Sequence, residues 1–341
     1  VGTGIEWTEE TWNPVTGCSK VSPGCAHCYA ETLTMRYAKS WGVPGLPWTP
    51  ANADDNVILR PDRLDQPLRW RKPRRVFVNS MSDLFHERLT GFPTEQRLRD
   101  WDRNGGKPPS EVAYAAREDE PRRPKYIAQV FAVMTLAERH TFQVLTKRPI
   151  AMAMLLSNPN FWLEVNAARL EMCHPVIPGG MSDLASGEQT IPNIWLGTSI
   201  ENHRYVDRAD WLRRTPAAIR FISAEPLLGP LVPPPWASVT VQARGESAAE
   251  FDARVKARAA EAQWAAGWRP GSKRLDLTDI DWLIVGGESG PGHRPMKEQW
   301  VRELLDAACE SGTAFFLKQW GGARPGGDAK LDGRRWQEYP E

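Results

Sequence analysis

Six short apolar runs, each ending in polar residues, constrain this chain more than any other feature. Val76-Phe77-Val78-Asn79 leads into Ser80, Met81, Ser82 and Asp83, and Phe142 to Leu145 leads into Thr146, Lys147 and Arg148. Ile194 to Gly197 leads into Thr198, Ser199 and Glu201, and Ile219 to Ile222 leads into Ser223, Ala224 and Glu225. Trp282 to Val285 leads into Gly286, Gly287 and Glu288, and Ala314 to Leu317 into Lys318 and Gln319. Continuous apolar runs of this length suit strands buried on both faces, as in a parallel sheet. Helix-compatible stretches lie between them: Ile127 to Arg139, Tyr205 to Arg213, and Glu298 to Ser311 with Gly312 as its C-cap. The alternation predicts an α/β fold, a partial or complete (β/α) TIM-type barrel of about six to eight parallel strands. Glu6 to Val15 supplies a further first strand.

The 341 residues read as one barrel domain spanning 1–341. Insertions fall at about 101–125, 164–192 and 233–274. The last holds an alanine-rich, charged stretch, Glu246 to Trp268, that reads as an exposed helix. In such barrels chemistry sits on the loops after the strands, so the polar run ends are expected to converge on one mouth. Asn79, Asp83, Lys147, Glu201, Glu225, Glu288 and Lys318 are the residues expected there. Glu225 and Glu288 are candidate proton donors or acceptors, and Lys147 with Arg148 can hold an anionic group.

Composition excludes little. The formal charge is +1, so no strong excess of basic residues marks a nucleic-acid binder, although a local basic groove stays open. "RWRKPRR", Arg69 to Arg75, is either such a groove or a solvated connection. "ESGPGHRP" is a flexible loop without the order of a phosphate-binding P-loop. The sixteen tryptophans read mainly as packing. No run of 18 apolar residues and no charged-then-apolar leader is present, which gives the expectation of a cytoplasmic protein without a membrane partner. There is no Gly-x-Ser-x-Gly elbow and no His-Glu-x-x-His zinc motif.

Three of the five cysteines, Cys18, Cys25 and Cys28, lie within eleven residues as C-x6-C-x2-C. In a reducing compartment such a cluster favours metal over disulfides. Structural zinc wants four ligands, so His27, a distant His, Cys173 or Cys309 would have to join. A four-iron four-sulfur (4Fe-4S) cluster takes cysteine thiolates, and three of them leave one iron open. Both readings fit the spacing. Cys309, beside Ala307 and Ala308, reads as a buried free thiol in a helix.

"WNPVTGCSKVSPGCAHCYAE" resembles the cluster loop of the radical S-adenosylmethionine (SAM) superfamily, especially its branch near spore photoproduct lyase. Asn13-Pro14, Gly17-Cys18, Cys25-x2-Cys28 and Tyr29-Ala30 carry the resemblance. The gap between the first two cysteines is six residues here, where the superfamily usually has three. The whole chain also resembles a family of phage proteins defined by a three-cysteine motif. That likeness lies in "FVNSMSDLFHE", "VLTKRP", "GTSIEN", "FISAEPLLGPL", "VGGESGPGHRPM" and "FLKQWGG".

The resemblance implies an iron–sulfur enzyme that cleaves SAM to a 5′-deoxyadenosyl radical, with an electron donor and a nucleic acid, nucleoside or nucleotide substrate. It implies Cys18, Cys25 and Cys28 as cluster ligands, and Tyr29 near the cofactor adenine. Asn79, Ser80, Ser82 and Asp83 are expected at the methionine end of SAM, and Thr198, Ser199 and Glu201 near its ribose and carboxylate. Lys147 can also hold that carboxylate. The superfamily's Gly-Gly-Glu follows an early strand, whereas Gly286-Gly287-Glu288 follows a late one, so its role is not transferred. His27 is expected to turn away from a cluster. The alternative is a non-enzymatic zinc or iron–sulfur protein that binds nucleic acid or a partner protein.

Overall fold

A computed structural model describes residues 3–105, 123–172, 190–232, 247, 249–250, 253, 273–324, 326 and 328–341. Its strands are β1 (Glu10–Trp12), β2 (Val15–Thr16), β3 (Ile58–Leu59), β4 (Arg75–Val78), β5 (Thr141–Thr146), β6 (Ile194–Ser199), β7 (Ile219–Ala224), β8 (Trp282–Gly286) and β9 (Ala314–Gln319). Seven of them form one sheet in the order β1-β4-β5-β6-β7-β8-β9, and every neighbouring pair is parallel. The sheet curls into a half-barrel, so the partial form of the expected α/β barrel is the one present. β2 and β3 pair antiparallel in a separate two-stranded sheet.

All six expected strands are β4 to β9. The expected first strand is shorter than Glu6 to Val15: β1 has three residues, because Asn13-Pro14 interrupts it and proline cannot donate to a ladder. The helix expected over Ile127 to Arg139 runs instead from Arg123 to Leu136. Tyr205 closes a short 3-10 turn, and the helix after it is Arg208–Arg214. Glu298–Ser311 is a helix as expected, with Gly312 left-handed at φ 72° as its C-cap. Cys309 on this helix is exposed, not buried. The buried face carries Trp300, Val301, Leu304 and Ala308, and one further residue turns about 100° away from it. Residues 164–172, at the start of the second expected insertion, belong to the helix Pro159–Met172. Cys173 and nearly all of 233–274, including most of the expected helix from Glu246 to Trp268, lie outside the described residues.

Side-chain alternation along the strands divides the core in two. Val76, Val78, Phe142, Val144, Leu196, Ile222, Leu283, Val285, Phe315 and Leu317 pack with the helices in the larger cluster. Phe77, Phe221, Trp282, Ile284 and Phe316 point to the concave side, where Trp7 joins them. Trp7 and Trp282 meet edge to face with centroids 6.1 Å apart. The concave side is therefore packed with apolar groups along the strands. The same alternation carries its line on to Lys147, Ser199, Glu225 and Lys318 at the strands' C-terminal ends. Residues 336–338 cover the outer edge of β9, with Leu317 N–H donating to Trp336 O at 2.8 Å and Glu338 N–H to Phe315 O at 3.1 Å. An edge so paired is not free to recruit another chain.

The basic run Arg69 to Arg75 leads into the start of β4, at the end away from the mouth. Arg69 pairs with Asp65, Arg74 with Glu10, and Arg75 with Glu9 and the Tyr339 ring. Among the described residues no helix is long and apolar enough to cross a membrane.

Candidate functional site

The cysteine loop begins where β2 ends. Gly17 sits at φ 85°, and a Cβ there would lie 1.8 Å from the Asn56 carbonyl oxygen, so only glycine fits ahead of Cys18. Residues Pro23–Cys25 form one 3-10 turn, and Cys28 is the N-cap of the helix Tyr29–Trp41. All three thiols are free and half-buried. Burial pushes the Cys18 thiol up to about 12 against the pull of Arg148. Burial also raises Cys28, opposed by the backbone N–H of Glu31. Cys25 is near enough to both for its thiolate to add to each rise. Among the described residues no three His, Cys, Asp or Glu side chains are gathered closely enough to hold a metal ion.

Three strand-end loops pin this cysteine loop. The first pin is Arg148, after β5, whose side chain is 2 % exposed. Its guanidinium donates to Asp83 Oδ2 at 3.1 Å, Glu87 Oε2 at 2.9 Å, Ser19 O at 3.2 Å, Ser19 Oγ at 3.1 Å and Cys18 Sγ at 3.5 Å. Asp83 is also held by Thr146 Oγ1 at 2.7 Å and by the N–H groups of Phe85 and Lys147. Ser19 Oγ lies 2.8 Å from His86 Nε2. Burial works against charging Arg148, but Cys18, Asp83 and Glu87 together raise its pKa.

The second pin is Glu201, after β6, which is fully buried. It accepts from Ser22 Oγ at 2.5 Å and from Arg208 Nη1 at 3.1 Å, with Lys147 Nζ 3.9 Å away. Gly24 lies directly on this carboxylate: a Cβ there would sit 2.5 Å from Glu201 Cγ. The third pin is Glu288, after β8. It accepts from Arg294 N–H at 2.9 Å and Arg294 Nε at 3.0 Å, and lies 2.9 Å from His27 Nδ1. Arg294 reaches on to Pro23 O at 3.0 Å. Burial alone would raise Glu288, but the Arg294 and His27 contacts hold it down at about 2. His27 is thus engaged with Glu288. The "GGE" letters have a local role as well, since a Cβ on Gly287 would meet Gly321 N at 2.2 Å.

The expected mouth residues divide into two groups. Ser80, Ser82, Asp83 and Thr198 belong to the framework: Ser80 Oγ pairs with the Asn13 amide, Ser82 Oγ donates to Val15 O at 2.9 Å, and Thr198 Oγ1 donates to Thr146 O at 3.0 Å. Ser199 is buried and its carbonyl accepts from Arg208 at 2.7 Å. The second group faces the mouth. Glu225 pairs with Lys318, and Gln319 Nε2 approaches the same oxygen at 3.5 Å. The Tyr29 ring is half-exposed, but its hydroxyl donates to Ser80 O at 2.6 Å; burial of that hydroxyl, then the neighbouring Cys28, raises its pKa. Asn79 is left-handed at φ 61° and 2 % exposed, and neither atom of its amide has a partner. An orphaned buried amide is costly unless a ligand or water meets it.

Sequence reasoning did not single out Arg208, His86, Glu87 or Glu95, and it took Arg294 only as part of the flexible "ESGPGHRP" loop. His86 and Glu87 lie in a quoted motif, but the Arg148 that binds Glu87 is 61 residues along the chain. Glu95 is buried with both carboxylate oxygens unpaired, in the field of Arg208, Arg148 and Arg99.

Fold and site together define a partial α/β barrel whose mouth is crossed by a cysteine loop tied to the ends of β5, β6 and β8. The chain belongs to the family described as "Protein of unknown function (DUF5131)", whose model matches residues 2–101 and 118–340. Residues 102–117, inside the first expected insertion, fall outside that match. No curated protein and no solved structure matches the chain.

Proposed function

We propose that this protein is a radical SAM-type iron–sulfur enzyme, with Cys18, Cys25 and Cys28 as the ligands of a 4Fe-4S cluster. One observation carries the proposal: three half-buried thiols on a single loop are held over a barrel mouth by Arg148, Glu201 and Glu288. Structural zinc calls for four ligands, whereas a four-iron cluster is held by cysteine thiolates, and three of them leave one iron open. The guanidinium against Cys18 Sγ also suits a cluster, whose potential responds to hydrogen bonds at its sulfurs.

With one electron from a low-potential donor, such a cluster supplies the cleavage of SAM to methionine and a 5′-deoxyadenosyl radical. The chain's own residues bind, orient and exclude water. We assign the unpartnered Asn79 amide and the half-exposed Tyr29 ring to the polar and aromatic parts of SAM. Lys147 stands by to hold its carboxylate, and the Glu225–Lys318 pair lines the side where a substrate would enter. We assign the substrate to the nucleic acid, nucleoside or nucleotide class.

The test is anaerobic reconstitution with iron and sulfide, followed by iron analysis, electron paramagnetic resonance of the reduced protein, and chromatography after SAM is added. The native protein and Cys309→Ala should carry the cluster and yield 5′-deoxyadenosine, and Cys25→Ala should carry none. Full iron content in Cys25→Ala overturns the ligand assignment. A loaded native protein that yields no 5′-deoxyadenosine overturns the radical chemistry. Stoichiometric zinc without colour identifies the protein as a zinc binder instead.

A further inference from the structure

The helix Tyr29–Trp41 starts at Cys28 and leaves the mouth along the surface. Its inward face is slight: only Ala30, Glu31 and Thr34 are buried. Among the described residues six large apolar side chains are exposed, and four of them, Tyr29, Met35, Tyr37 and Trp41, lie on this one helix. Tyr29, Leu33, Tyr37 and Trp41 are spaced four apart, so they form one ridge about 18 Å long. The Tyr37 and Trp41 rings lie 5.5 Å apart, tilted by 32°, and Arg36 lies 5.5 Å from the Tyr37 ring. Exposed aromatics on a helix normally find a cover.

The charges name the cover. The exposed face of the helix carries Arg36 and Lys39 and no acid. Its one carboxylate, Glu31, is buried and bound to Lys20 at 2.8 Å and to Trp48 N–H at 2.8 Å. A ridge of rings flanked only by cations matches a strand of unpaired bases on a phosphate backbone, where bases stack and phosphates meet cations. The exposed hydroxyls of Thr32 and Ser40 already donate their protons to the carbonyls of Cys28 and Tyr37, so neither donates to a 2′-hydroxyl.

We infer that the Tyr29–Trp41 helix is a docking rail for single-stranded DNA, which it leads to the mouth beside Cys28. The inference rests on the nucleic-acid substrate class proposed above and narrows it. Tyr37 and Trp41 stack bases, Arg36 and Lys39 meet phosphates, and Tyr29 marks where the strand reaches the mouth.

The experiment is fluorescence anisotropy of a labelled single-stranded DNA of about 12 nucleotides, a length within known site sizes. It uses the full chain without iron or SAM. The native protein should bind it and prefer it to the matching duplex. Tyr37→Ala with Trp41→Ala should weaken binding by roughly 30-fold or more, at about 1–3 kcal/mol for each of two stacked bases, while circular dichroism and melting stay unchanged. Arg36→Ala with Lys39→Ala should lower the slope of log K against log salt by about 1.4. Unchanged binding by both double variants overturns the inference. So does duplex bound as tightly as single strand, RNA preferred to DNA by about tenfold or more, or light scattering that shows the ridge variants turning a native dimer into a monomer. A protein that yields 5′-deoxyadenosine but ignores the DNA sinks the rail alone. A protein that binds DNA through the ridge but holds no cluster sinks the radical reading alone.

Discussion

Replacing Arg148 with Met tests whether the cysteine loop is held as described. The substitution keeps an apolar stem of similar reach and removes a guanidinium that is 2 % exposed and joins Asp83, Glu87, Ser19 and Cys18. Removing one partner of a buried ion pair costs about 3–5 kcal/mol, because the other charge stays buried. Asp83 keeps Thr146 Oγ1, Phe85 N–H and Lys147 N–H, and Glu87 is 14 % exposed, so the lower end of that range applies, about 3 kcal/mol. Against a net stability of about 5–15 kcal/mol this is a large fraction. Urea unfolding followed by tryptophan fluorescence measures it, and limited proteolysis reports whether residues 18–28 have come loose. Arg148→Lys should restore less than half of the loss, since an ammonium cannot span the same partners as a planar fork. A loss below about 1 kcal/mol in Arg148→Met, within the range of an exposed pair, would refute the pinning.

Glu95→Gln should flatten the pH dependence of stability. Burial pushes the folded-state pKa of Glu95 up to about 8 from 4.5, despite Arg208, Arg148 and Arg99. The unfolded chain therefore releases this proton first as pH rises, and the contribution of Glu95 is full below about pH 4.5 and declines until about pH 8. At pH 7 the decline amounts to roughly 3 kcal/mol, at about 1.36 kcal/mol for each pH unit; equal slopes for native and Glu95→Gln protein between pH 5 and 8 would count against it. Glu288→Gln acts in the opposite sense: the native carboxylate, held at about 2, contributes stability above about pH 4.5 that is lost as pH falls through 2, so the variant should show a shallower acid limb in urea titrations. Gly24→Ala should destabilise by about 1–3 kcal/mol and loosen the turn that carries Cys25, because Glu201 is fully buried and held by Arg208 and cannot yield to a Cβ at 2.5 Å; thiol labelling kinetics and unfolding midpoints read both effects.

The strands were legible in the sequence because a parallel sheet buried on both faces writes itself as unbroken apolar runs, and β4 to β9 fall on those runs. The polar residues that end them were legible as a mouth, since parallel neighbours share one C-terminal end. The cysteine cluster was legible as spacing alone. What the letters could not say is which polar residues hold the framework and which face the mouth. Ser80, Ser82, Asp83 and Thr198 turn to backbone and framework partners 52 to 67 residues away, while Asn79 is left with an unpartnered amide. Arg148 reads in the sequence as half of a basic pair that can hold an anionic group, and in the structure it is the most heavily bonded side chain of the cysteine loop's support. Cys309 reads as buried beside Ala307 and Ala308 and is exposed, because the helix rotates it just past the face that Ala308 occupies. Local pattern is set by a strand's or helix's own period, which the sequence carries. Partnership between side chains scores of residues apart is set by how the strands stack and curl, and that is decided only when the chain closes on itself.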